Sequence, residues 1–183
     1  MNAGSDSTPL LPGVLSREQL RDRIKDTRTP LVTELIDLDA QLQPNGLDLT
    51  LREISRYEGV GAIGASNADR VLPDLAPVPF DSQGWVTLTP GPYHIVYHEA
   101  VHLPPDLMAL GRPRSSLTRS GATIHTAVWD AGYSGRSTSL LVVHAPAGFR
   151  LQRDARVMQL VFFSLARATT TGYAGAYQHE NVR

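Results

Sequence analysis

The chain has 183 residues, of which 42% are hydrophobic and 19% charged, and its formal net charge is −1. This near-neutral balance excludes a general binder of nucleic acids or membrane surfaces, which needs a sustained basic excess. The absence of cysteine excludes disulfides and thiolate chemistry. Neither a secretory signal nor about 18 uninterrupted apolar residues is visible, so we expect a cytoplasmic protein without nucleic-acid or membrane partners.

The first predicted element is a short helix over Arg17 to Lys25. Ser16, followed three residues later by Gln19, has the pattern of a capping box, in which each side chain accepts a hydrogen bond from the other residue's backbone amide. Leu15 and Leu20 flank this start and would pack against each other as a hydrophobic staple.

Beyond Pro30 the pattern changes to short alternating runs that predict β-strands. Leu47, Leu49 and Leu51 alternate with polar residues, which indicates a half-buried strand. The stretch Gly59 to Phe80 has no sustained period and is predicted to be a long surface excursion. Further strands are predicted at Trp85 to Leu88, Tyr93 to Glu99, Leu107 to Leu110, Thr123 to Val128, Ser137 to His144 and Val157 to Leu165.

One short N-terminal helix followed by many short strands predicts a mainly β fold, an antiparallel jelly roll or distorted β-barrel. We expect one β domain over residues 14–167. A flexible tail over residues 1–13 would precede it, and a C-terminal tail or lid over residues 168–183 would follow it. This last segment is small and polar and needs a partner surface to become ordered.

Three segments carry residues suited to chemistry. Gly111 to Arg119 holds three arginines and two adjacent serines, which suit a polyphosphate, although a solvated basic loop has the same composition. Asp130 lies in a turn between two aromatic residues, where it could position a water molecule for attack on phosphorus or simply cap the turn. Gln159 interrupts the apolar strand Arg156 to Phe163, so it is either a satisfied core residue or faces a ligand.

In their order along the chain, these segments resemble the motifs of the trimeric dUTP nucleotidohydrolases and their relatives, the dCTP deaminases. Gln43 to Leu49 resembles the first motif, and Leu88 to Pro105 the segment that leads into the second. Arg114 to Leu117 with Arg119, Asp130 to Gly135 and Arg156 to Phe162 are similar to the second, third and fourth motifs.

The resemblance implies a jelly-roll homotrimer whose active sites lie at subunit interfaces and hydrolyse a deoxynucleoside triphosphate, with Mg²⁺ bound through the phosphates and not directly by the protein. Asp130 would position the attacking water. Tyr133 would stack on the deoxyribose and exclude a 2′-hydroxyl. The phosphates would be held by Arg114, Ser115, Ser116 and Gln159, with Arg119 as a further substrate contact.

Other parts of the site are implied less directly. The base would be read mainly by backbone groups of a hairpin between His125 and Trp129. Asp48 would contact the phosphates or the metal only through a water molecule. Tyr173, Tyr177 and Gln178 would be lid contacts. Glu180 would point away, because a carboxylate is repelled by a triphosphate.

One position separates the two chemistries of this superfamily. The deaminases carry a glutamate ten residues after the motif Asp, and this chain has Leu140 there, which cannot move a proton. The resemblance, with leucine at this position, therefore implies a dUTP diphosphatase that forms dUMP and pyrophosphate. The alternatives are a dCTP deaminase or bifunctional enzyme that recruits another acid such as Glu99, and a non-catalytic nucleotide-binding module.

A metal enzyme of cupin type is a further alternative, because His94, His98 and His102 recur every four residues. Neighbouring residues favour a strand, on which positions four apart are separated by about 13 Å. That distance is too long for one metal ion, so surface histidines are predicted instead.

Overall fold

The computed structural model describes residues 13–182, so apart from Gly13 the predicted N-terminal tail lies outside the described residues. The predicted helix is confirmed as α1 (Arg17–Lys25), with both hydrogen bonds of the Ser16 and Gln19 capping box. Two short helices, α2 (Leu38–Gln41) and α3 (Ser115–Arg119), and a 3₁₀ helix over Asn67–Asp69 were not predicted. Elements of three to five residues are too short to show a helical period.

Fifteen strands are found within the described range. They are β1 (Gly13–Val14), β2 (Val32–Thr33), β3 (Leu42–Gln43), β4 (Gly46–Glu58), β5 (Asp74–Pro77), β6 (Trp85–Leu88), β7 (Gly91–Tyr97), β8 (Ala100–His102), β9 (Leu107–Pro113), β10 (Ala122–His125), β11 (Val128–Trp129), β12 (Ser134–Gly135), β13 (Thr138–Val143), β14 (Phe149–Gln152) and β15 (Arg156–Ser164).

Seven strands form the path of one large antiparallel sheet in the order β10-β13-β7-β4-β15-β9-β11, to which β1, β3 and β5 add at the sides. The sheet curls, because β10 at one end also lies against β9 near the other. Smaller sheets are formed by β12-β8-β2 and by β14-β6. The predicted mainly β, antiparallel, barrel-like fold is therefore confirmed, as a curled half-barrel.

The predicted half-buried strand differs from the structure. Leu47, Leu49 and Leu51 are fully buried, but Asp48 and Thr50 on the opposite face are also only 1% and 2% exposed. Both faces of β4 are thus covered in this region. The covering groups include Gln41, which comes from α2 rather than from a neighbouring strand.

Two further expectations about the strands were wrong. Thr123 to Val128 is not one strand: His125 pairs with β13, whereas Val128 pairs with β9 at the other end of the large sheet. The segment between His125 and Val128 therefore connects two distant strands of the sheet, and β10 and β11 do not form the predicted hairpin from His125 to Trp129. The excursion from Gly59 to Phe80 is largely exposed as predicted, but it contains β5, which pairs with the end of β4.

Within the described range, no helix is both long enough and apolar enough to span a membrane.

Candidate functional site

Strand pairing brings the second and fourth sequence motifs together. Gln159 of β15 lies opposite Arg112 of β9, and the Arg114 amide donates to the Val157 carbonyl at 3.0 Å. Ser115 and Ser116 are exposed at the start of α3. The half-buried Gln159 side chain makes no hydrogen bond within residues 13–182. We call Arg114, Ser115, Ser116, Gln159 and Asp48 the Arg114 cluster.

Asp48 holds the arginine of this cluster in place. Its Oδ2 lies 3.1 Å from Arg114 Nε and 3.5 Å from Arg156 Nη1, and its side chain is only 2% exposed. Burial raises the pKa of the Asp48 carboxyl, although both guanidinium groups act in the opposite direction. The buried carboxylate thus faces two guanidinium groups, those of Arg114 and Arg156.

Gly46 allows β4 to approach this cluster closely. A Cβ at this position would lie 2.5 Å from the Leu160 carbonyl oxygen and 2.9 Å from Gln159 Nε2. Only glycine lets the backbone pass so near to the Gln159 amide. Arg119, the last residue of α3, is exposed and lies at the edge of the cluster without touching it through any hydrogen bond or ion pair in the described range.

Glu99 is fully buried behind this region. Gln41 Nε2 donates to its Oε1 at 2.6 Å and to the Asp48 carbonyl at 2.9 Å, and Thr50 donates to it through both its amide and its hydroxyl. Burial raises the pKa of the Glu99 carboxyl. Because these donors surround it, Glu99 supports β4 and does not face a cavity, which argues against Glu99 as a replacement acid for deamination.

Asp130 lies at the mouth of a separate cavity of about 280 Å³. The side chain of Asp130 is exposed, and its carbonyl accepts from the Tyr133 amide at 3.0 Å, which closes the turn. Tyr133 is 6% exposed, and its ring packs edge-on against Tyr173 with the ring centres 5.7 Å apart. We call this space the Asp130 cavity. Its walls include Trp129, Asp130, Tyr133, Ser137, Tyr173 and Glu180.

A hydrogen-bonded chain runs through the wall of the Asp130 cavity. Trp129 Nε1 donates to Ser137 Oγ, which lies 3.1 Å from the Tyr133 hydroxyl, and Tyr133 donates to Glu180 Oε1 at 2.9 Å. Burial raises the pKa of both Tyr133 and Glu180. Glu180, which was expected to point away from a triphosphate, forms part of the cavity wall, and its carboxylate accepts from a phenol. No sequence motif pointed to Ser137 as part of this wall.

The C-terminal segment docks along the Asp130 turn. The Tyr173 amide donates to Ala131, the His179 amide to Ser134, and the Gln178 side chain both donates to Gly132 and accepts from the Ser134 amide. Tyr173 and Gln178 thus hold the C-terminal segment against the Asp130 turn. Tyr177 lines the cavity too, and the guanidinium group of Arg70 lies over its ring.

The Arg114 cluster and Asp130 lie at opposite ends of the same strand. Asp130 follows Trp129, which pairs with Ala109 near the start of β9, whereas Arg114 follows Pro113 at the end of β9. Because a strand rises about 3.3 Å per residue, the two are on the order of 15–20 Å apart. A single chain therefore does not bring Asp130 to the Arg114 cluster.

Leu140 and the three histidines lie outside both regions. Leu140 pairs with His125 and His94 across β13 and does not line the Asp130 cavity. His98 Nε2 lies 2.7 Å from Asp154, and His102 is held between Thr33 and Ser134. These histidines are half-buried rather than on the open surface. In residues 13–182 no group of three His, Asp or Glu residues is arranged to hold a metal ion.

A larger cavity of about 540 Å³ lies on the other side of Tyr133 and Ser134. Arg23, Arg28 and His102 contribute its polar wall, and no carboxylate lines it. We place the candidate site at the Arg114 cluster and the Asp130 cavity, because these contain the groups that can bind phosphate and position a water molecule.

Comparisons with known proteins show what the chain is similar to. Residues 14–165 match the family model described as dCTP deaminase-like. The chain is 49% identical over 169 residues to a Methanosarcina mazei protein named "Probable deoxyuridine 5'-triphosphate nucleotidohydrolase", with 92% of this chain and 98% of that protein covered. An Archaeoglobus fulgidus protein of the same name is 46% identical over 169 residues, which cover 92% and 98% of the two chains.

Among solved structures, the crystal structure of 2′-deoxycytidine 5′-triphosphate deaminase from Agrobacterium tumefaciens is similar, with a TM-score of 0.64 and 23% identity. The match covers 84% of this chain and 48% of that one, so this chain spans about half the length of that deaminase. At this identity the similarity concerns the fold alone.

Proposed function

The chain belongs to the dCTP deaminase-like family, and we propose that within it the protein is a dUTP nucleotidohydrolase that converts dUTP and water into dUMP and pyrophosphate. The relatives at 46–49% identity carry this activity in their names. The presence of Leu140, which has no proton to exchange, favours hydrolysis over deamination. The observation that carries the proposal is the combination of the Arg114 cluster with an exposed carboxylate at the Asp130 cavity.

The Arg114 cluster is proposed to bind the triphosphate. The guanidinium group of Arg114 presents paired donors to phosphate oxygens, and Asp48 fixes its orientation before the substrate arrives. The exposed hydroxyls of Ser115 and Ser116 and the free amide of Gln159 add neutral donors. Arg119 at the edge adds positive charge.

Magnesium fits this site as a partner of the substrate. The side chains of the Arg114 cluster that remain free are donors suited to phosphate oxygens, and its one carboxylate is engaged by two guanidinium groups. The oxygen ligands that Mg²⁺ prefers would therefore come from the phosphates and water, and the bound ion would neutralise charge on the pyrophosphate leaving group.

Asp130 is proposed to position the attacking water and accept its proton. The new bond forms between the water oxygen and phosphorus, and the electrons of the broken bridging bond leave with pyrophosphate. The exposed carboxylate of Asp130 is free for this role, because its turn is closed by its carbonyl rather than by its side chain. Tyr133 would pack on the deoxyribose.

A site shared between copies of the chain follows from the geometry. Because one chain separates Asp130 from its own Arg114 by on the order of 15–20 Å, the carboxylate that serves a given Arg114 cluster would come from a neighbouring subunit. We propose a homotrimer with three such sites, a closed cyclic assembly in which each subunit gives one half-site and receives the other.

The experiment that tests this function is incubation of the protein and Mg²⁺ with dUTP, dCTP, dTTP or UTP, followed by assays for nucleotide products, pyrophosphate and ammonia. Pyrophosphate and dUMP from dUTP are expected. Ammonia from dCTP would instead establish deamination without a glutamate at position 140. No turnover of any substrate would favour a non-catalytic nucleotide-binding module.

Substitution of Asp130 tests the assigned mechanism. We expect Asp130→Asn to lower kcat by about 10²–10⁴-fold and to leave the affinity for a non-hydrolysable dUTP analogue nearly unchanged, because an amide cannot accept the proton of water. Asp22→Asn, at an exposed position of α1, is the matched control and should keep full turnover. Near-normal turnover by Asp130→Asn would remove Asp130 from this role.

A further inference from the structure

We propose that Glu180 is a positioning residue: by accepting the hydroxyl proton of Tyr133, it holds the tyrosine ring at the depth where the ring excludes a ribose 2′-hydroxyl. The inference rests on the proposed function, in which Tyr133 packs on the deoxyribose. Glu180 would then determine how strongly the enzyme prefers dUTP to UTP.

The directions of the hydrogen bonds around Tyr133 follow from the chemistry of the two outer groups in this series, the Trp129 indole and the Glu180 carboxylate. An indole N–H can only donate, so Ser137 Oγ accepts from Trp129. An ionised carboxylate can only accept, so the Tyr133 proton points to Glu180 at 2.9 Å. The Ser137 proton is then left for the Tyr133 oxygen at 3.1 Å. Each of these three hydrogen bonds therefore has one direction, and that direction depends on Glu180 as the final acceptor.

Once Glu180 is removed, the Tyr133 hydroxyl keeps one hydrogen-bond partner within residues 13–182, Ser137 Oγ, which also accepts from Trp129. Water from the adjoining Asp130 cavity can take the place of the carboxylate, but it is not attached to the docked C-terminal segment as the Glu180 side chain is. The ring also packs against Tyr173 and other buried apolar groups, and apolar packing has no direction that would fix the position of the hydroxyl. We therefore expect the ring to lose its fixed depth when the acceptor is lost.

The backbone of the C-terminal segment places the Glu180 carboxylate. The Arg136 amide donates to the Glu180 carbonyl at 2.9 Å, and the Arg136 side chain and the Asn181 side chain each donate to the other residue's carbonyl. Arg136 is 3% exposed and belongs to the segment that follows the Asp130 turn. Discrimination between the sugars would thus be complete only when the C-terminal segment is docked.

The test compares kcat/KM for dUTP and for UTP, with Mg²⁺, in the wild type and in Glu180→Ala, Glu180→Gln, Tyr133→Phe and the double variant Glu180→Ala/Tyr133→Phe. Glu180→Ala is expected to lower the dUTP/UTP ratio by about tenfold, since a looser pocket tolerates one added hydroxyl. Glu180→Gln should restore most of the ratio, because the amide oxygen can accept the same bond. Val182→Ala, an exposed position in the same segment, is the control.

The double variant separates positioning from a general loss of structure. If Glu180 acts through the Tyr133 hydroxyl, Tyr133→Phe already removes the contribution of Glu180 to the dUTP/UTP ratio. Adding Glu180→Ala to Tyr133→Phe then lowers this ratio no further. Independent, multiplying effects would overturn the inference, as would an unchanged ratio in Glu180→Ala or a Glu180→Gln variant as impaired as Glu180→Ala. Absence of dUTP hydrolysis by the wild type would overturn the proposed function and this inference together, whereas hydrolysis with an unchanged ratio overturns this inference alone.

Discussion

Glu99 has both carboxylate oxygens turned toward hydrogen-bond donors of Thr50 and Gln41, and none of its surface reaches solvent. Burial raises the pKa of this carboxyl above the ordinary value of 4.5. The folded protein thus binds the proton more tightly than the unfolded chain does. The contribution of Glu99 to stability is therefore fully present below about pH 4.5 and is lost as the pH rises through the raised pKa.

We expect the free energy of unfolding of the wild type, measured relative to Glu99→Gln, to fall as the pH rises from 4 to 8. The fall should be about 1.4 kcal/mol for every tenfold increase in the proton affinity of the folded state. Urea unfolding of both proteins across this pH range measures the difference. Glu58→Gln, at the exposed end of β4, should show no such trend relative to the wild type. A difference between wild type and Glu99→Gln that is independent of pH would contradict the raised pKa.

Docking of the C-terminal segment depends on close contact between two backbones. Gly132 has a φ of +87°, and a Cβ there would lie 2.8 Å from Gly172 Cα and 2.9 Å from the Tyr173 amide nitrogen. Neither neighbour is a flexible side chain that could move aside. The Asp130 turn and the C-terminal segment therefore fit together only because the residues in contact, Gly132 and Gly172, are both glycines.

Gly132→Ala is expected to release the C-terminal segment and to increase the rate of tryptic cleavage after the exposed Arg167 by about tenfold or more, because proteolysis requires local opening. Gly59→Ala is the matched control: Gly59 has a similar φ of +84° but nothing within 4 Å of the added Cβ. Gly59→Ala therefore introduces a similar backbone strain but no steric clash with another segment. Equal cleavage rates in the two variants would mean that strain alone, and not the contact with Gly172, governs docking.

Elements with strong local signals could be predicted from the sequence, and those formed by distant contacts could not. The capping box gave α1 its bounds, and alternation gave β6 at Trp85 to Leu88. In contrast, Thr123 to Val128 has one continuous β pattern, yet its two ends pair with strands at opposite ends of the sheet. Alternation indicates which side of a strand is apolar but not with which strand it pairs.

The same limit applies to the site. The Arg114, Ser115 and Ser116 motif was visible because its residues are adjacent in sequence. The contact between Glu180 and Tyr133 could not be predicted, because the two residues are 47 positions apart along the chain. The burial of Asp48 was missed for the same reason, since the groups that cover and pair with it come from α2, from the residue that follows β9 and from β15.

At the scale of the whole molecule, the separation of Asp130 from Arg114 along β9 bears on the proposed assembly. If the proposed site needs both groups, each chain carries two half-sites, and each half-site would be completed by a second copy. Activity should accordingly require the oligomer and decrease when dilution dissociates it. Oligomerisation would then be part of the catalytic mechanism and would not serve stability alone.

Mixing two inactive variants tests this arrangement directly. Asp130→Asn keeps the Arg114 cluster and Arg114→Gln keeps Asp130, so each pure protein should be nearly inactive. After equimolar mixing, unfolding and refolding, each site draws its two halves from different subunits, and about one site in four receives both intact halves by chance. Recovery of roughly a quarter of wild-type dUTP hydrolysis is therefore expected, with unmixed samples refolded in parallel as the control. If both halves came from one chain, no mixture could restore a complete site, and the mixed sample would stay as inactive as its components.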